Sequence, residues 1–253
     1  MIFLRDILID ARRGAYPFNS ASLVPLHMAL TSPITIITGD NGSGKSTLLE
    51  ALARALRLPA IGLDDASRDQ TLSGLDPLAD AMKLCFSVRT RRGFFLRAED
   101  FFGFTRRVST MQAELRGDLE RVGRDYADKS AFTQGQARMA YESSLSGLEG
   151  RYGENPDACS HGEAFLNLFS SRLTGKGLYL LDEPEAPLSP LRQLALCAMI
   201  LERREDSQFI IATHSPILMA LPGAVIWSFD SAPARPCAYE ELESVALLRD
   251  FLN

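Results

Sequence analysis

One stretch of the chain has the residue types and spacing of a phosphate-binding loop. Gly39-Asp40-Asn41-Gly42-Ser43-Gly44-Lys45-Ser46 satisfies the pattern G-x-x-x-x-G-K-[ST]. Glycines let such a loop curl until its backbone N–H groups point inward, and the helix N-terminus that follows favours an anion. A lysine at the position of Lys45 can reach the β- and γ-phosphates, and a hydroxyl at Ser46 can ligate Mg²⁺. The motif therefore predicts a site for a nucleoside triphosphate with magnesium.

An acidic pair follows a second apolar segment. Gly177-Leu178-Tyr179-Leu180-Leu181-Asp182 is predicted to be a strand, and Pro184 prevents its simple continuation. A carboxylate at the carboxyl edge of a strand beside a phosphate loop, such as Asp182, can hold the Mg²⁺ of a bound nucleotide. The adjacent Glu183 points elsewhere and can polarise a water for attack on the γ-phosphorus. Such a pair is a weak signal alone, and the phosphate loop strengthens it.

A histidine follows a third apolar segment. His214 comes directly after Gln208–Thr213, which is predicted to be a strand. A histidine there can hydrogen-bond the γ-phosphate and report its presence. The alternative is that His214 caps the short helix that follows.

A further candidate anion site is Ser160-His161-Gly162-Glu163, before an apolar helical stretch. Ser160 and Glu163 match a capping box, which needs no ligand. The same serine and Gly162 at a helix N-terminus could also hold an anion. Because one chain needs only one phosphate cradle, a second one makes sense if it serves a neighbouring molecule.

The elements that must position these residues alternate between strands and helices. The β-branched run Ile34–Thr38 ends at Gly39, and helical spacing of leucines begins after Lys45, which gives the order strand, loop, helix. This alternation predicts an α/β sandwich with a mainly parallel sheet. Further strands are predicted at Ile2–Ile9, Leu23–Leu30 and Ala224–Phe229. Residues 81–99 are expected to form two strands, although the first of these segments could equally be the end of a helix.

Helices and loops complete the prediction. Residues 60–80 are expected to form a loop, and Tyr239–Leu252 a helix. Ser189 is expected to cap a helix that starts at Pro190. The expected buried face of that helix comprises Leu191, Leu194, Cys197, Met199, Ile200 and Leu201. A helical lobe is expected from an apolar stripe at Met111, Leu115, Leu119, Val122 and Tyr126, with a weaker helix around 135–149, too short for a long coiled-coil arm.

Composition limits the class of protein. The chain has 253 residues, 46% hydrophobic and 23% charged, which is ordinary for a globular protein and excludes a disordered chain. A net charge of −5 disfavours a protein that coats nucleic acid by bulk charge. No apolar run approaches the length of a transmembrane helix, and the charged start at Arg5 and Asp6 is unlike a secretory signal. We therefore expect a cytoplasmic protein.

Taken together, the motifs resemble those of ABC-type ATPases. Their order and spacing are similar to those of compact bacterial proteins labelled "AAA family ATPase", relatives of chromosome-maintenance and double-strand-break-repair ATPase heads without coiled-coil arms. The resemblance implies a P-loop NTPase three-layer sandwich of the ABC type, with a mainly parallel core sheet, an N-terminal antiparallel β part and a small helical lobe. It treats residues 1–253 as a single ATPase domain, with the nucleotide-binding core at 1–106 and 156–253 and the lobe at 107–155.

The resemblance also assigns roles. In the family, two subunits pack head to tail and sandwich two ATPs, so this chain is expected to form a homodimer on ATP binding. The implied roles are a phosphate loop at Gly39, Asp40, Asn41, Gly42, Ser43, Gly44, Lys45, Ser46 and Thr47, a Mg²⁺ carboxylate at Asp182, a general base at Glu183, a signature at Ser160 and Gly162 donated in trans, and a switch histidine at His214.

The sequence departs from the family pattern in two places. Ser-His-Gly-Glu replaces the transporter-type Leu-Ser-Gly-Gly-Gln, which argues against an ordinary importer or exporter subunit. The family's Q-loop glutamine has no clear counterpart, and Glu99 lies in the corresponding region. Tyr16 is a candidate to stack on adenine, although a packing tyrosine is an equal alternative.

The leading expectation is an ATP-hydrolysing switch that is coupled to an unidentified partner, in nucleic-acid maintenance or in defence. Nucleic acid itself is a candidate partner. The alternatives are the nucleotide-binding subunit of an ABC transporter and a slow ATP sensor. A GTPase is disfavoured because the sequence contains no N-K-x-D motif.

Overall fold

The structure, a computed structural model, describes residues 1–11, 13–61, 70–153 and 161–252. The chain divides into two compact units. The first comprises Met1–Asp100 together with Thr174–Asn253, and the second comprises Phe101–Leu173.

The first unit contains a six-stranded, mainly parallel sheet. Its strands in spatial order are β5 (Gly93–Arg97), β6 (Leu178–Asp182), β7 (Gln208–Ala212), β3 (Ile34–Thr38), β8 (Val225–Ser228) and β9 (Arg235–Cys237). All neighbours run parallel except β8 and β9. Strands β3, β6 and β7 are buried along their whole length, as their unbroken apolar runs predict.

A second, antiparallel sheet has the order β2 (Leu26–Ala29), β1 (Leu4–Ile9) and β4 (Met82–Phe86). One apolar core joins this sheet, helix α1 (Lys45–Leu56) and the central sheet, and includes Ile7, Leu48 and Ile210. The two strands expected within 81–99 both exist, but β4 belongs to the antiparallel sheet and β5 to the parallel one.

Among the described residues of the first unit there are four further helices: α2 (Asp76–Ala81), α6 (Pro190–Arg203), α7 (Pro216–Met219) and α8 (Glu243–Leu252). Short 3₁₀ segments at Gln70–Leu75 and Tyr239–Glu241 precede α2 and α8. The expectation of a loop throughout 60–80 is wrong for its second half, where the Asp76-Pro77 start signal opens α2.

The predicted buried face of α6 is also partly wrong. Leu191 and Leu194 are 77% and 55% exposed, whereas Leu196, Cys197 and Ile200 are buried. The apolar residues of α6 extend around more than half of its circumference, so periodicity alone does not select the face that packs. Ser189 occupies the N-cap position, but its side chain makes no capping hydrogen bond.

The second unit is helical. It contains most of α3 (Ala98–Asp125), together with α4 (Ala131–Tyr152) and α5 (His161–Arg172). Phe101 packs edge-on against Phe165 at 5.2 Å between ring centroids, and the side-chain amide of Gln112 donates to the carbonyl of Gly153 at 2.8 Å. Both helices of the predicted lobe are longer than expected, and Met111 of the predicted stripe is 50% exposed. Within the described residues, no helix is both long and apolar enough to cross a membrane.

Gly93 allows β5 to approach β6. Its φ is +135°, and a Cβ there would lie 1.8 Å from the carbonyl oxygen of Leu178. We expect Gly93→Ala to lower the free energy of unfolding by about 3 kcal/mol or more, because backbone must move to relieve the clash. The measurement is chemical unfolding followed by the fluorescence of the single tryptophan, Trp227.

Gly14→Ala is the matched control in the same unit. A Cβ at Gly14 meets no described atom within 4 Å, so stability should change by less than about 0.5 kcal/mol. Equal losses in the two variants would contradict this explanation of the β5–β6 contact.

Candidate functional site

The candidate residues gather at one edge of the parallel sheet. Gly39 follows β3, Asp182 ends β6, and His214 lies two residues after β7. Residues Ile37 and Asp182 both pair with Ala212, so these three strands end at the same level. Side chains from three distant segments are therefore brought together without any long loop.

The phosphate loop has the backbone that its glycines predict. Gly39, Gly42 and Gly44 have φ values of +146°, +79° and +105°, all in the region that favours glycine. A Cβ on Gly44 would lie 2.9 Å from the hydroxyl oxygen of Ser20. Helix α1 then begins at Lys45, so the loop leads directly into a helix N-terminus.

Lys45 is held inside this loop. Its Nζ donates to the carbonyl oxygens of Gly39 at 2.6 Å and Asp40 at 2.9 Å, and the residue is 4% exposed. Burial lowers the pKa of Lys45, and the neighbouring carboxylates, Glu183 first, oppose that shift. A positive charge with little access to water is well placed to interact with phosphate oxygens.

Ser46 and Asp182 place two oxygen ligands beside the loop. The Ser46 hydroxyl donates to Oδ1 of Asp182 at 3.2 Å. Burial raises the pKa of Asp182 to about 7, and the hydrogen bond from Ser46 opposes this shift. Mg²⁺ takes oxygen ligands and commonly binds through one or two carboxylates plus substrate phosphates. The pair therefore fits a magnesium ion, whose charge would offset the cost of burying the carboxylate.

Glu183 has an unusual backbone. Its φ is +49°, a left-handed conformation that non-glycine residues rarely adopt, and its N–H donates to the carbonyl of Ala212 at 2.9 Å. The side chain is 45% exposed, and its Oε1 lies 3.7 Å from Nε2 of His214. A strained, exposed carboxylate beside an imidazole has the geometry for handling a proton.

The alternative that His214 caps the next helix does not hold, because Ser215 occupies that position. The Ser215 hydroxyl accepts from the N–H groups of Ile217 and Leu218 at the start of α7. The His214 side chain is 41% exposed instead.

Several supporting residues received no role from the sequence. The His214 N–H donates to the Glu185 carboxylate at 2.7 Å. Gln193 on α6 accepts from the Ser215 hydroxyl at 2.6 Å and donates to the Leu188 carbonyl at 3.2 Å. These contacts tie the segment after β6 to the segment after β7. The contact of Glu185 with His214 spans 29 positions and that of Gln193 with Ser215 spans 22, so only tertiary structure identifies them.

Two other segments support the phosphate loop. Oδ1 of Asp230, which follows β8, accepts from the N–H of Asp40 at 2.7 Å. The Ser20 hydroxyl donates to the carbonyl of Ser43 at 2.7 Å. Both contacts orient loop peptides, and neither follows from a recognisable spacing.

The remaining candidates have different outcomes. Ser160 lies outside the described residues. Gly162 is buried and Glu163 exposed in the first turn of α5, which begins at His161. Tyr16 is 59% exposed, and Glu99 is 75% exposed with Oε1 3.5 Å from Nη1 of Arg97.

Family models match two parts of the chain. Residues 18–76 match a model described as an AAA domain, and residues 111–220 match one described as "AAA domain, putative AbiEii toxin, Type IV TA system". The first match contains the phosphate loop, and the second ends six residues beyond His214. The comparison with curated proteins gives no match.

Solved structures with the same fold include ATP-binding cassettes of transporters. A nucleotide-free cassette of an ABC transporter aligns with TM-score 0.53 and 16% identity over 99% of this chain and 96% of that one. The ADP conformation of another cassette gives TM-score 0.51 and 15% identity over 100% and 99%. CbiO1 from Clostridium perfringens, part of the ABC transporter complex cbiONQ, gives TM-score 0.51 and 16% identity over 100% and 96%.

These comparisons confirm the predicted fold class and the resemblance to ABC-type ATPases. The chain has a P-loop NTPase fold, with a mostly parallel central sheet and a separate antiparallel sheet. At these identities, the solved structures show the fold and not the activity.

The backbone strain at Glu183 gives a prediction about stability. Glu183→Gly should leave the free energy of unfolding unchanged or raise it by up to about 1 kcal/mol, because glycine adopts a positive φ without steric cost. Arg57, which ends α1 with φ +53°, is the control, and Arg57→Gly should behave in the same way. Chemical unfolding of both variants provides the measurement. A loss above about 1 kcal/mol at Glu183 alone would mean that its side chain stabilises the fold.

Proposed function

We propose that the chain binds ATP with Mg²⁺ at Gly39–Thr47 and hydrolyses it. The observation that carries this proposal is the convergence of Lys45, Ser46, Asp182 and Glu183 at one sheet edge. Lys45 is a buried cation, the oxygens of Ser46 and Asp182 are two potential metal ligands that lie 3.2 Å from each other, and Glu183 is an exposed carboxylate. The AAA-domain matches support nucleotide binding and hydrolysis independently of this geometry.

Each residue then has a distinct role in hydrolysis. Loop N–H groups and Lys45 bind the β- and γ-phosphates, and bound Mg²⁺, held by Ser46 and Asp182, supplies charge neutralisation. Glu183 accepts a proton from the attacking water as the water oxygen bonds to the γ-phosphorus and the bond to the ADP oxygen breaks. His214 donates a hydrogen bond to the γ-phosphate and so reports whether it is present.

ATP binding is further proposed to drive head-to-tail dimerisation. The tip of α5, with Ser160 and Gly162, would contact the γ-phosphate held by the partner copy. The exposure of Glu183 and His214 supports this arrangement, because their side chains remain accessible to a second molecule. Gly162 is buried in the single chain, so its contribution would come from backbone polarity at the helix end.

The dimerisation cycle is proposed to act on an effector, in defence or in nucleic-acid maintenance. The proposed role in defence is supported by the family model that matches residues 111–220, because its description names a toxin of a type IV toxin–antitoxin system. A transporter role has no comparable support, because the similarity to transporter cassettes concerns the fold and the Ser-His-Gly-Glu signature departs from theirs.

Glu183→Gln tests hydrolysis and dimerisation together. This variant should bind ATP but lose turnover by about 100-fold or more, because the amide accepts no proton. The ATP-bound dimer should therefore accumulate on size-exclusion chromatography in ATP and Mg²⁺ and be absent without nucleotide. Combining it with Lys45→Ala should abolish the dimer. A monomer under all conditions would contradict the head-to-tail arrangement.

Ser160→Arg separates the contact in trans from binding in cis. The substitution should block turnover and dimerisation while the monomer still binds ATP, since the phosphate loop is intact. Calorimetric titration measures the retained affinity. Loss of ATP binding would mean that Ser160 serves only as a helix cap.

A further inference from the structure

A partly buried arginine lies beside the proposed nucleotide site and outside its motifs. Arg97 ends β5 and pairs in register with Asp182 on the neighbouring strand β6. Its Nη1 donates to Glu50 Oε1 at 2.7 Å, while Nε and Nη2 donate to the two oxygens of Asp100 at 2.7 and 3.0 Å. The Arg97 side chain is only 11% exposed and that of Glu50 only 15%.

The contact of Arg97 with Glu50 connects this arginine to the proposed nucleotide site. Glu50 lies on α1 four residues after Ser46, so the two side chains share one face of the helix. Ser46 contacts Asp182, and Arg97, the register partner of Asp182 on the next strand, contacts Glu50. These contacts connect the Glu50 carboxylate to the proposed metal ligands from two sides.

We propose that Arg97 is a positioning residue of the nucleotide site: it holds Glu50 in an ion pair and thereby neutralises a carboxylate beside the Ser46–Asp182 ligands. This inference rests on the proposed ATP binding. Without Arg97, Glu50 would be an uncompensated charge in a poorly hydrated region, where screening by salt is weak. It would repel the triphosphate, and the γ-phosphate most of all because it carries the greatest charge.

The fork of the guanidinium is needed for a second reason. One edge of the Arg97 guanidinium donates a hydrogen bond to Glu50 on α1, and another edge donates to Asp100 in the first turn of α3. One side chain therefore orients two carboxylates. A lysine has the charge but lacks this planar fork and cannot make the same set of directed bonds. Arg97→Lys should therefore be intermediate between the parent protein and Arg97→Ala.

A double-mutant cycle tests the proposal by measuring dissociation constants for ATP and ADP in Mg²⁺. Arg97→Ala should weaken ATP binding about tenfold or more and weaken ADP binding less. Glu50→Gln should stay within about threefold of the parent protein, since Arg97 keeps its bonds to Asp100. Arg97→Ala combined with Glu50→Gln should return to within about threefold of Glu50→Gln alone, because the uncompensated charge is gone.

Arg54→Ala is the matched control. Arg54 is also on α1 and also has an 11% exposed side chain, but its acidic partner Asp76 is 52% exposed. ATP affinity should not change in this variant. A general packing defect would reduce the active fraction in the titration while leaving the dissociation constant unchanged, which separates misfolding from the proposed effect.

Two results would overturn the proposal. An unchanged affinity in Arg97→Ala would show that neutralising Glu50 is unnecessary. Equal losses in Arg97→Ala and in the double variant would show that Arg97 acts on the nucleotide directly. If Arg97→Ala does not fold, Arg97→Gln with and without Glu50→Gln gives the same decision, because glutamine also removes the positive charge. Failure of the parent protein to bind ATP would instead refute the proposed function.

Discussion

Parallel strand direction is the constraint on which the rest of the structure depends. Because β3, β6 and β7 run parallel and in matched register, their carboxyl ends form one edge, where the phosphate loop, the acidic pair and His214 meet. The backbone polar groups of these buried strands are satisfied by neighbouring strands, so their positions leave little freedom. Side chains just beyond the strand ends are therefore held in well-defined positions, as hydrolysis would require.

Two groups of opposite charge, Lys45 and Asp182, are both buried at this edge of the sheet. Burial disfavours the charged forms of both Lys45 and Asp182, lowering the pKa of the first and raising that of the second to about 7. Lys45 interacts with loop carbonyls and Asp182 with the Ser46 hydroxyl, neither of which carries a full compensating charge. A magnesium triphosphate would supply an anion to the first and a cation to the second. The burial that disfavours the charged forms of Lys45 and Asp182 therefore also favours binding of Mg²⁺ and the triphosphate together.

Contiguous features were predictable from the sequence, and features assembled from distant segments were not. The phosphate loop, the β6 carboxylates and the strand before His214 lie in uninterrupted patterns of a few residues. Asp230 reaches Asp40 across 190 positions and Arg97 reaches Glu50 across 47, so no local pattern marks either pair. Leu191 and Leu194 show a related limit, because α6 has apolar residues on several sides and tertiary packing buries only one of them.

Lys45 and the Ser46–Asp182 pair are proposed to bind opposite charges of one magnesium nucleotide. Calorimetric titration of ATP into the parent protein, with Mg²⁺ and again with a chelator, measures whether both charges contribute to binding. We expect one nucleotide per chain, weaker binding after chelation, and no binding by Lys45→Ala. Affinity that is the same with and without Mg²⁺, or that survives the loss of Lys45, would contradict this proposal.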